Sequence, residues 1–187
     1  DLDRDQDLDL LVISDFAGMD LYLNDGAGKF TDVTAARVPE PQAFGMAHTL
    51  ADFDLDGALD ILMVGMNSPA ASRLDSLGLH RSDAPRGRAM RPAMTQGNRL
   101  YVFDQGTWRD RAPELGVAQS GWAWGATAFD ADGDQDSDLY IVNGHNSRET
   151  AQDYESQFWR HDIYMGNSKP DPAAGLFFQS FASKLYG

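Results

Sequence analysis

The sequence predicts an all-β protein built from repeated units of four antiparallel strands, and three observations predict it. An alternating aspartate motif occurs three times: DLDRDQDLDLLVI at 1–13, DFDLDGALDILMV at 52–64 and DADGDQDSDLYIV at 130–142. Each copy runs directly into an apolar, β-favouring stretch, the pattern of a loop that enters a buried strand. Further short strands recur at matching places around each copy. Such self-similarity marks a repeat architecture, and four antiparallel strands per repeat is the signature of a β-propeller blade. A β-sandwich could hold these strands but would not explain the repetition.

Taken in order, the first strand of a unit precedes the aspartate loop, as in AFGMAHTLA (43–51) and GWAWGATAF (121–129). The second is the apolar run after the loop. The third is DLYLN (20–24), RLYVF (99–103) or DIYMG (162–166), and the fourth KFTDVT (29–34), TWRDRA (107–112) or FFQSFA (177–182). Asn24-Asp25-Gly26 between two of them is ordinary hairpin chemistry. The expected division is a blade over 1–51 that lacks its first strand and has its loop at 1–9, a blade over 52–129 with its loop at 52–60, and a blade over 130–187 with its loop at 130–138. Asp1, Asp52 and Asp130 are 51 and then 78 residues apart, which locates an insertion at roughly 66–97; a second falls at 143–161. About three blades are present where a closed propeller needs about four to eight, so a partial propeller within a longer polypeptide is expected.

The charge has a simple origin. There are 29 acids and 15 bases, a formal charge of −14, and 14 of the acids lie in the three clusters. Outside the clusters acids and bases balance, so the clusters are sites rather than a solubility device. An acidic chain with no basic face is not expected to bind nucleic acid. No apolar run approaches the length of a membrane span. With no cysteine there is neither a disulfide nor a thiolate metal site.

Oxygen donors at positions 1, 3, 5 and 9 of a tight loop, with a backbone carbonyl at 7, suit a hard cation. Calcium takes six to eight oxygens in irregular geometry, whereas magnesium prefers a smaller, more hydrated octahedron. The expected ligands are Asp1, Asp3, Asp5 and Asp9 with the carbonyl of Asp7; Asp52, Asp54, Asp56 and Asp60 with that of Ala58; and Asp130, Asp132, Asp134 and Asp138 with that of Asp136. That makes up to three Ca2+ ions. These are not EF-hands, because position 12 is Val12, Met63 or Ile141, within a strand, where an EF-hand needs a bidentate Glu. The plain alternative, solvated Asp-rich turns, leaves four or five mutually repelling carboxylates in nine residues unexplained. Position 6 favours Gly but is Gln6 and Gln135 in two loops, where weaker sites are expected.

The pattern DxDxDGxxD followed by a strand resembles the FG-GAP/VCBS repeat of integrin α-subunit propellers and many bacterial surface proteins. Phe44-Gly45 before the second loop, then Gly65-Met66 and Pro69 after it, are similar to the family's Phe-Gly and Gly-Ala-Pro. Leu21-Tyr22-Leu23-Asn24-Asp25-Gly26, Phe30-Thr31-Asp32-Val33-Thr34 and Gly121-Trp122-Ala123-Trp124-Gly125 look like segments of the cartilage-acidic-protein-like group, whose repeats are often joined to an ASPIC/UnbV domain. The resemblance implies a calcium-bound, integrin-like propeller, usually secreted or surface-displayed. Gln6, Gln135 and Ser180, which stands where the other units have Asp32 and Asp110, depart from the pattern.

Strand alternation places both insertions on the face opposite the aspartate loops, where loops on a rigid scaffold concentrate function. The first opens with a helix signal, Ser68 as cap and Pro69 in the first turn, with Leu74 and Leu77 on one side and Gly78 as stop. It then carries Arg81, Arg86, Arg88 and Arg91, read as a solvated loop or as a site for an anionic partner or neighbouring subunit. The second holds Tyr154, Phe158 and Trp159, expected to pack back on the blade. Trp122 and Trp124 are expected to fill the space between blades, with sugar stacking as the alternative. His48 is expected to be buried in its strand and His145 to lie in a turn. Neither has a second histidine at zinc spacing.

No nucleophile elbow, dinucleotide loop or phosphate loop appears. The glutamates Glu40, Glu114, Glu149 and Glu155 form no evident pair. The expected function is therefore a non-enzymatic, calcium-binding interaction module for adhesion or for docking a protein or glycan, located extracellularly, at the cell surface or in the periplasm. Two alternatives stand beside it: a propeller-type polysaccharide lyase or hydrolase, and a passive scaffold subunit of a larger assembly.

Overall fold

The computed structural model describes residues 1–15, 17–78 and 85–144. Among them the chain is mostly β, in three antiparallel sheets. The first sheet joins β1 (Leu10–Ser14), β2 (Gly18–Asn24) and β3 (Phe30–Asp32). The second is a complete four-stranded meander of β4 (Gly45–Ala51), β5 (Asp60–Gly65), β6 (Arg99–Asp104) and β7 (Thr107–Asp110). The third pairs β8 (Ala123–Phe129) with β9 (Asp138–Asn143). This is the propeller-like all-β fold expected, with each aspartate loop leading into β1, β5 or β9. The strands foreseen at 162–166 and 177–182, and most of the second insertion with His145, Glu149, Tyr154, Glu155, Phe158 and Trp159, lie outside the described residues.

The sheets stack face to face through alternating side chains. Ile61, Met63, Tyr101 and Trp108 cover one face of the second sheet and pack with Met19 and Leu21 of the first. Leu62, Val64, Leu100 and Val102 cover the other face and pack with Ala123, Leu139 and Ile141 of the third. The apolar runs are thus continuous because β5 is buried on both sides, each of its residues being inaccessible. Trp108 contributes most: its ring lies 4.6 Å from that of Phe103, and its indole N–H donates to the Leu59 carbonyl at 3.3 Å.

Between Gly45 and Ala47 in β4, and between Ala123 and Gly125 in β8, the register shifts by a bulge. The bulge separates residues that strict alternation would put together. Phe44 and Trp122 are buried with Met66, Ala71, Leu74 and Met94. Trp124, by contrast, is 46% exposed, and its indole lies against Gly144. Trp122 is therefore buried, but among Ala71, Leu74 and Met94 of the insertion, and Trp124 does not fill the space between blades as expected. His48, expected to be buried, is exposed on β4, an edge strand of its sheet.

Three helices interrupt the sheets: α1 (Thr34–Arg37), α2 (Pro69–Ser76) and α3 (Pro85–Met94). The Ser68 hydroxyl caps α2 by accepting from the Ala71 N–H at 3.2 Å, as its sequence predicts. Of the basic tract, Arg86, Arg88 and Arg91 fall within α3, and Arg81 lies outside the described residues. Arg91 is buried and bonded to Asp75 of α2, Nε to Oδ1 at 2.8 Å, so it is closed to an outside anion.

Each sheet is tied to the next by one repeated backbone contact. Met19 N–H donates to the Pro41 carbonyl at 3.0 Å, and Asn98 N–H to the Ala118 carbonyl at 2.9 Å. The residue just before each donor is Gly18, at φ +94°, or Gly97, at φ +115°, where a Cβ would run into that same carbonyl. Left-handed backbone and close approach both demand glycine here. Gly97→Ala is expected to lower the unfolding free energy by about 2–4 kcal/mol. Gly116→Ala, at a positive φ with open space around it, should cost only about 1–2 kcal/mol. Urea titration of the two variants checks the difference.

Candidate metal centre

Each aspartate loop is closed by the same three hydrogen bonds from its own backbone. The second residue donates its N–H to the ninth aspartate: Leu2 to Asp9 at 2.5 Å, Phe53 to Asp60 at 3.0 Å, Ala131 to Asp138 at 2.9 Å. The sixth donates to the first: Gln6 to Asp1 at 3.2 Å, Gly57 to Asp52 at 2.8 Å, Gln135 to Asp130 at 3.0 Å. The seventh donates to the fifth: Asp7 to Asp5 at 2.9 Å, Ala58 to Asp56 at 2.7 Å, Asp136 to Asp134 at 3.1 Å. The sequence repeat is thus a repeat of conformation. Short acidic side chains favour such loops because they satisfy backbone donors that a turn leaves unpaired.

Two positions per loop have positive φ. Position 6 does so in every copy, at +80° for Gln6, +86° for Gly57 and +79° for Gln135. The glutamines therefore adopt the glycine conformation rather than changing the turn. Position 4 does the same in Arg4, Leu55 and Gly133, which the motif does not announce.

The ninth aspartate also reaches beyond its loop. Asp60 Oδ1 accepts from the Phe103 N–H of β6 at 2.8 Å, and Asp9 Oδ1 from the Asn24 N–H of β2 at 3.0 Å. One carboxylate thereby fixes the loop to the strand beyond its own. Accepting one bond leaves each oxygen a second lone pair for a cation.

Three groups of carboxylates converge so that one oxygen from each member lies within 4.8 Å of the others: Asp1, Asp3 and Asp5; Asp52, Asp54 and Asp60; Asp130, Asp132 and Asp138. That spacing suits a shared ion, since two oxygens on one calcium lie at most about 5 Å apart. The fifth-position Asp56 and Asp134 fall outside these groups, as does Asp9 in the first loop. Asp7 Oδ2 sits where a Cβ on Gly26 would lie at 2.6 Å, turned towards the β2–β3 hairpin. In the third loop the charge of Asp134 raises the pKa of Asp136.

Electrostatics within the groups is unbalanced. Burial, then the charges of Asp5 and Asp9, raise the pKa of Asp3. Burial also raises that of Asp60, against the N–H groups of Phe103 and Phe53 that lower it. Asp3 Oδ1 is buried and accepts no hydrogen bond. A buried carboxylate oxygen without a donor is costly unless a cation meets it. The hard-oxygen donor set and this orphaned oxygen together fit a divalent ion.

The other singled-out groups are structural. Glu40 pairs with Arg99 and Glu114 with Arg111. Sequence reasoning missed Arg99, which is 1% exposed. Its guanidinium donates to Asp110 Oδ2 at 2.7 Å and to the carbonyls of Gln42 and Ala93 at 3.2 and 2.9 Å. It thereby ties β6 to the segment leading into β4 and to the end of α3. The lone hint was a charged residue at the head of an apolar strand.

Residues 1–63 match the model of the FG-GAP-like repeat, a stretch that spans the first two aspartate loops. No curated protein and no solved structure matches the chain. The chain is thus similar to that repeat over about a third of its length.

Left-handed backbone costs a side-chain-bearing residue about 1–2 kcal/mol, against a glycine entropy penalty of about 0.5–1 kcal/mol. Gln135→Gly is therefore expected to stabilise the chain by about 0.5–1 kcal/mol in chemical denaturation; a destabilised variant would contradict the shared loop conformation.

Proposed function

We propose that the chain is a calcium-stabilised interaction module of the integrin-like kind, built from three propeller blades over 1–51, 52–129 and 130–187. Calcium is held by the aspartate loops, up to one ion in each. Asp1, Asp3 and Asp5, Asp52, Asp54 and Asp60, and Asp130, Asp132 and Asp138 are the nearest ligands. Asp9, Asp56 and Asp134, with the carbonyls of Asp7, Ala58 and Asp136, complete the sets. The observation that carries this reading is the threefold recurrence of one hydrogen-bonded cage around converging carboxylates, one of which has a buried oxygen with no donor. The match to the FG-GAP-like repeat supports it independently. When bound, the ion supplies positive charge that cancels the repulsion among the loop carboxylates. The chain supplies the oxygens and holds them in place through the ninth aspartate.

The role is docking rather than catalysis. A protein or glycan partner meets the end of the blades opposite the aspartate loops, where the insertions at 66–97 and 143–161 emerge. Partner recognition through adhesion or assembly fits a secreted, surface or periplasmic setting, where millimolar calcium keeps sites of this type filled. Among the described residues no helix is long and apolar enough to cross a membrane.

A ligand that binds only the folded chain raises its stability with concentration, by about 2.7 kcal/mol at a hundred times Kd. Melting temperature is expected to climb with calcium, to fall in chelator and to respond weakly to magnesium, as read by calorimetry. Among the described residues Asp54 takes no part in its loop's hydrogen bonds. Asp54→Asn should therefore lose part of the calcium increment while leaving the melting point in chelator unchanged or higher. A melting point indifferent to calcium and chelator would refute the reading.

A further inference from the structure

The two residues that alternate with the carboxylates of the first loop reach across to the second sheet. Leu2, between Asp1 and Asp3, is 4% exposed and lies in the core shared by the first two sheets. Arg4, between Asp3 and Asp5, carries its guanidinium over the Phe103 ring, 5.8 Å from the ring centre. A cation placed so is attracted by the ring quadrupole. The Arg4 Nη1 also lies 4.0 Å from where a Cβ on Gly57 of the second loop would stand.

Phe103 is the residue whose N–H Asp60 accepts, the contact that anchors the second loop. Its counterpart in the first sheet is Asn24, whose N–H Asp9 accepts. The two anchors are braced differently. Asn24 is held from within, its side-chain amide donating to the Leu8 carbonyl of the same loop at 3.2 Å. Phe103 is held from outside, its ring meeting Trp108 on one hand and Arg4 of the neighbouring loop on the other. Trp108 donates to the carbonyl of Leu59, the eighth residue of the second loop, and Leu59 and Phe103 both pack on the core that holds Leu2. Position 4 of the other loops is Leu55, 65% exposed, and Gly133, so this charged brace occurs once among the described residues.

We propose that the first two aspartate loops are coupled sites, in which ion binding at the first raises the affinity of the second, with Leu2 and Arg4 as the positioning residues. The inference rests on the ion-binding reading and adds regulation to it. Because Leu2 and Arg4 alternate with Asp1, Asp3 and Asp5, gathering those carboxylates about an ion fixes the two intervening residues as well. Phe103 and Leu59 are then held against them, and the second loop binds with less ordering left to do. Linkage makes the effect reciprocal, so the second loop raises the affinity of the first by the same factor. The charge of Arg4 acts the other way, repelling an ion in the second loop, but salt screens a charge at an exposed rim. The sign of the coupling therefore separates bracing from repulsion.

Heteronuclear NMR of the full chain during a calcium titration tests it. The N–H groups of Gln6, Gly57 and Gln135 donate to Asp1, Asp52 and Asp130, so their resonances report the three loops separately. Asp3→Asn, which weakens the first loop, is expected to raise the calcium midpoint at Gly57 about fivefold or more. Asp54→Asn should raise the midpoint at Gln6 by the same factor. In the Arg4→Ala background that factor should fall towards one, while the midpoint at Gln135 stays where it was. Phe103→Leu removes the ring but keeps the N–H that Asp60 accepts; it should uncouple the loops too, and it stands in should Arg4→Ala fail to fold. Midpoints indifferent to substitution in the other loop overturn the coupling and leave the calcium reading intact. So does coupling of the opposite sign, or coupling that survives both Arg4→Ala and Phe103→Leu. Resonances of Gln6 and Gly57 that ignore calcium altogether overturn both ideas.

Discussion

A buried carboxylate shared between two backbone segments is the interaction on which this structure turns. Asp60 takes the Phe53 N–H on one oxygen and the Phe103 N–H on the other, at 3.0 and 2.8 Å. Asp9 does the same with Leu2 and Asn24. The arrangement fixes the start of the loop, the start of the strand after it and the strand beyond in one register. Because the loop is held at both ends, its first and third carboxylates converge instead of splaying apart. The cost is negative charge gathered in a partly dry place, and it shows in the raised pKa values of Asp3 and Asp60. A cation answers that cost more directly than protonation does at neutral pH.

Packing between sheets is the second requirement. β5 is buried on both faces, so the second sheet serves as the wall against which its neighbours are built. Fully burying one Leu, Ile or Met is worth about 1.5–3 kcal/mol, and this strand carries several in a row. Polar groups at the sheet ends are satisfied locally. Asn98, fully buried, accepts from the Gly65 N–H and donates to the Val117 carbonyl and the Ser120 hydroxyl. Tyr101 donates to the Glu40 carbonyl at 2.8 Å, and burial pushes its hydroxyl pKa upward.

Much of this was legible in the sequence because its cause is local. The aspartate loops, the strands after them and the capped start of α2 all follow from short-range pattern, and they stand where the pattern puts them. What was not legible depends on contacts distant in sequence. The bulges at Met46 and Trp124 leave no mark on alternation, so Trp124 was misplaced. The helix α3 contains Pro92 and a basic run, which argue against a helix locally; the pair between Arg91 and Asp75 joins it to α2. The second duty of Asp9 and Asp60 was hidden for another reason. A carboxylate that could ligate an ion and one that accepts a backbone N–H are written with the same letter.

The sheet topology puts the aspartate loops at one end of the strands and the insertion carrying α2 and α3 at the other, since they join opposite ends of β5. The consequence concerns descent. Spacing between units stretches from 51 to 78 residues, yet the lengthening falls entirely at the end remote from the acidic turns. Segments there can grow, shrink or be exchanged over generations while the opposite rim keeps its geometry. Novelty and constancy are allotted to different poles of the same body.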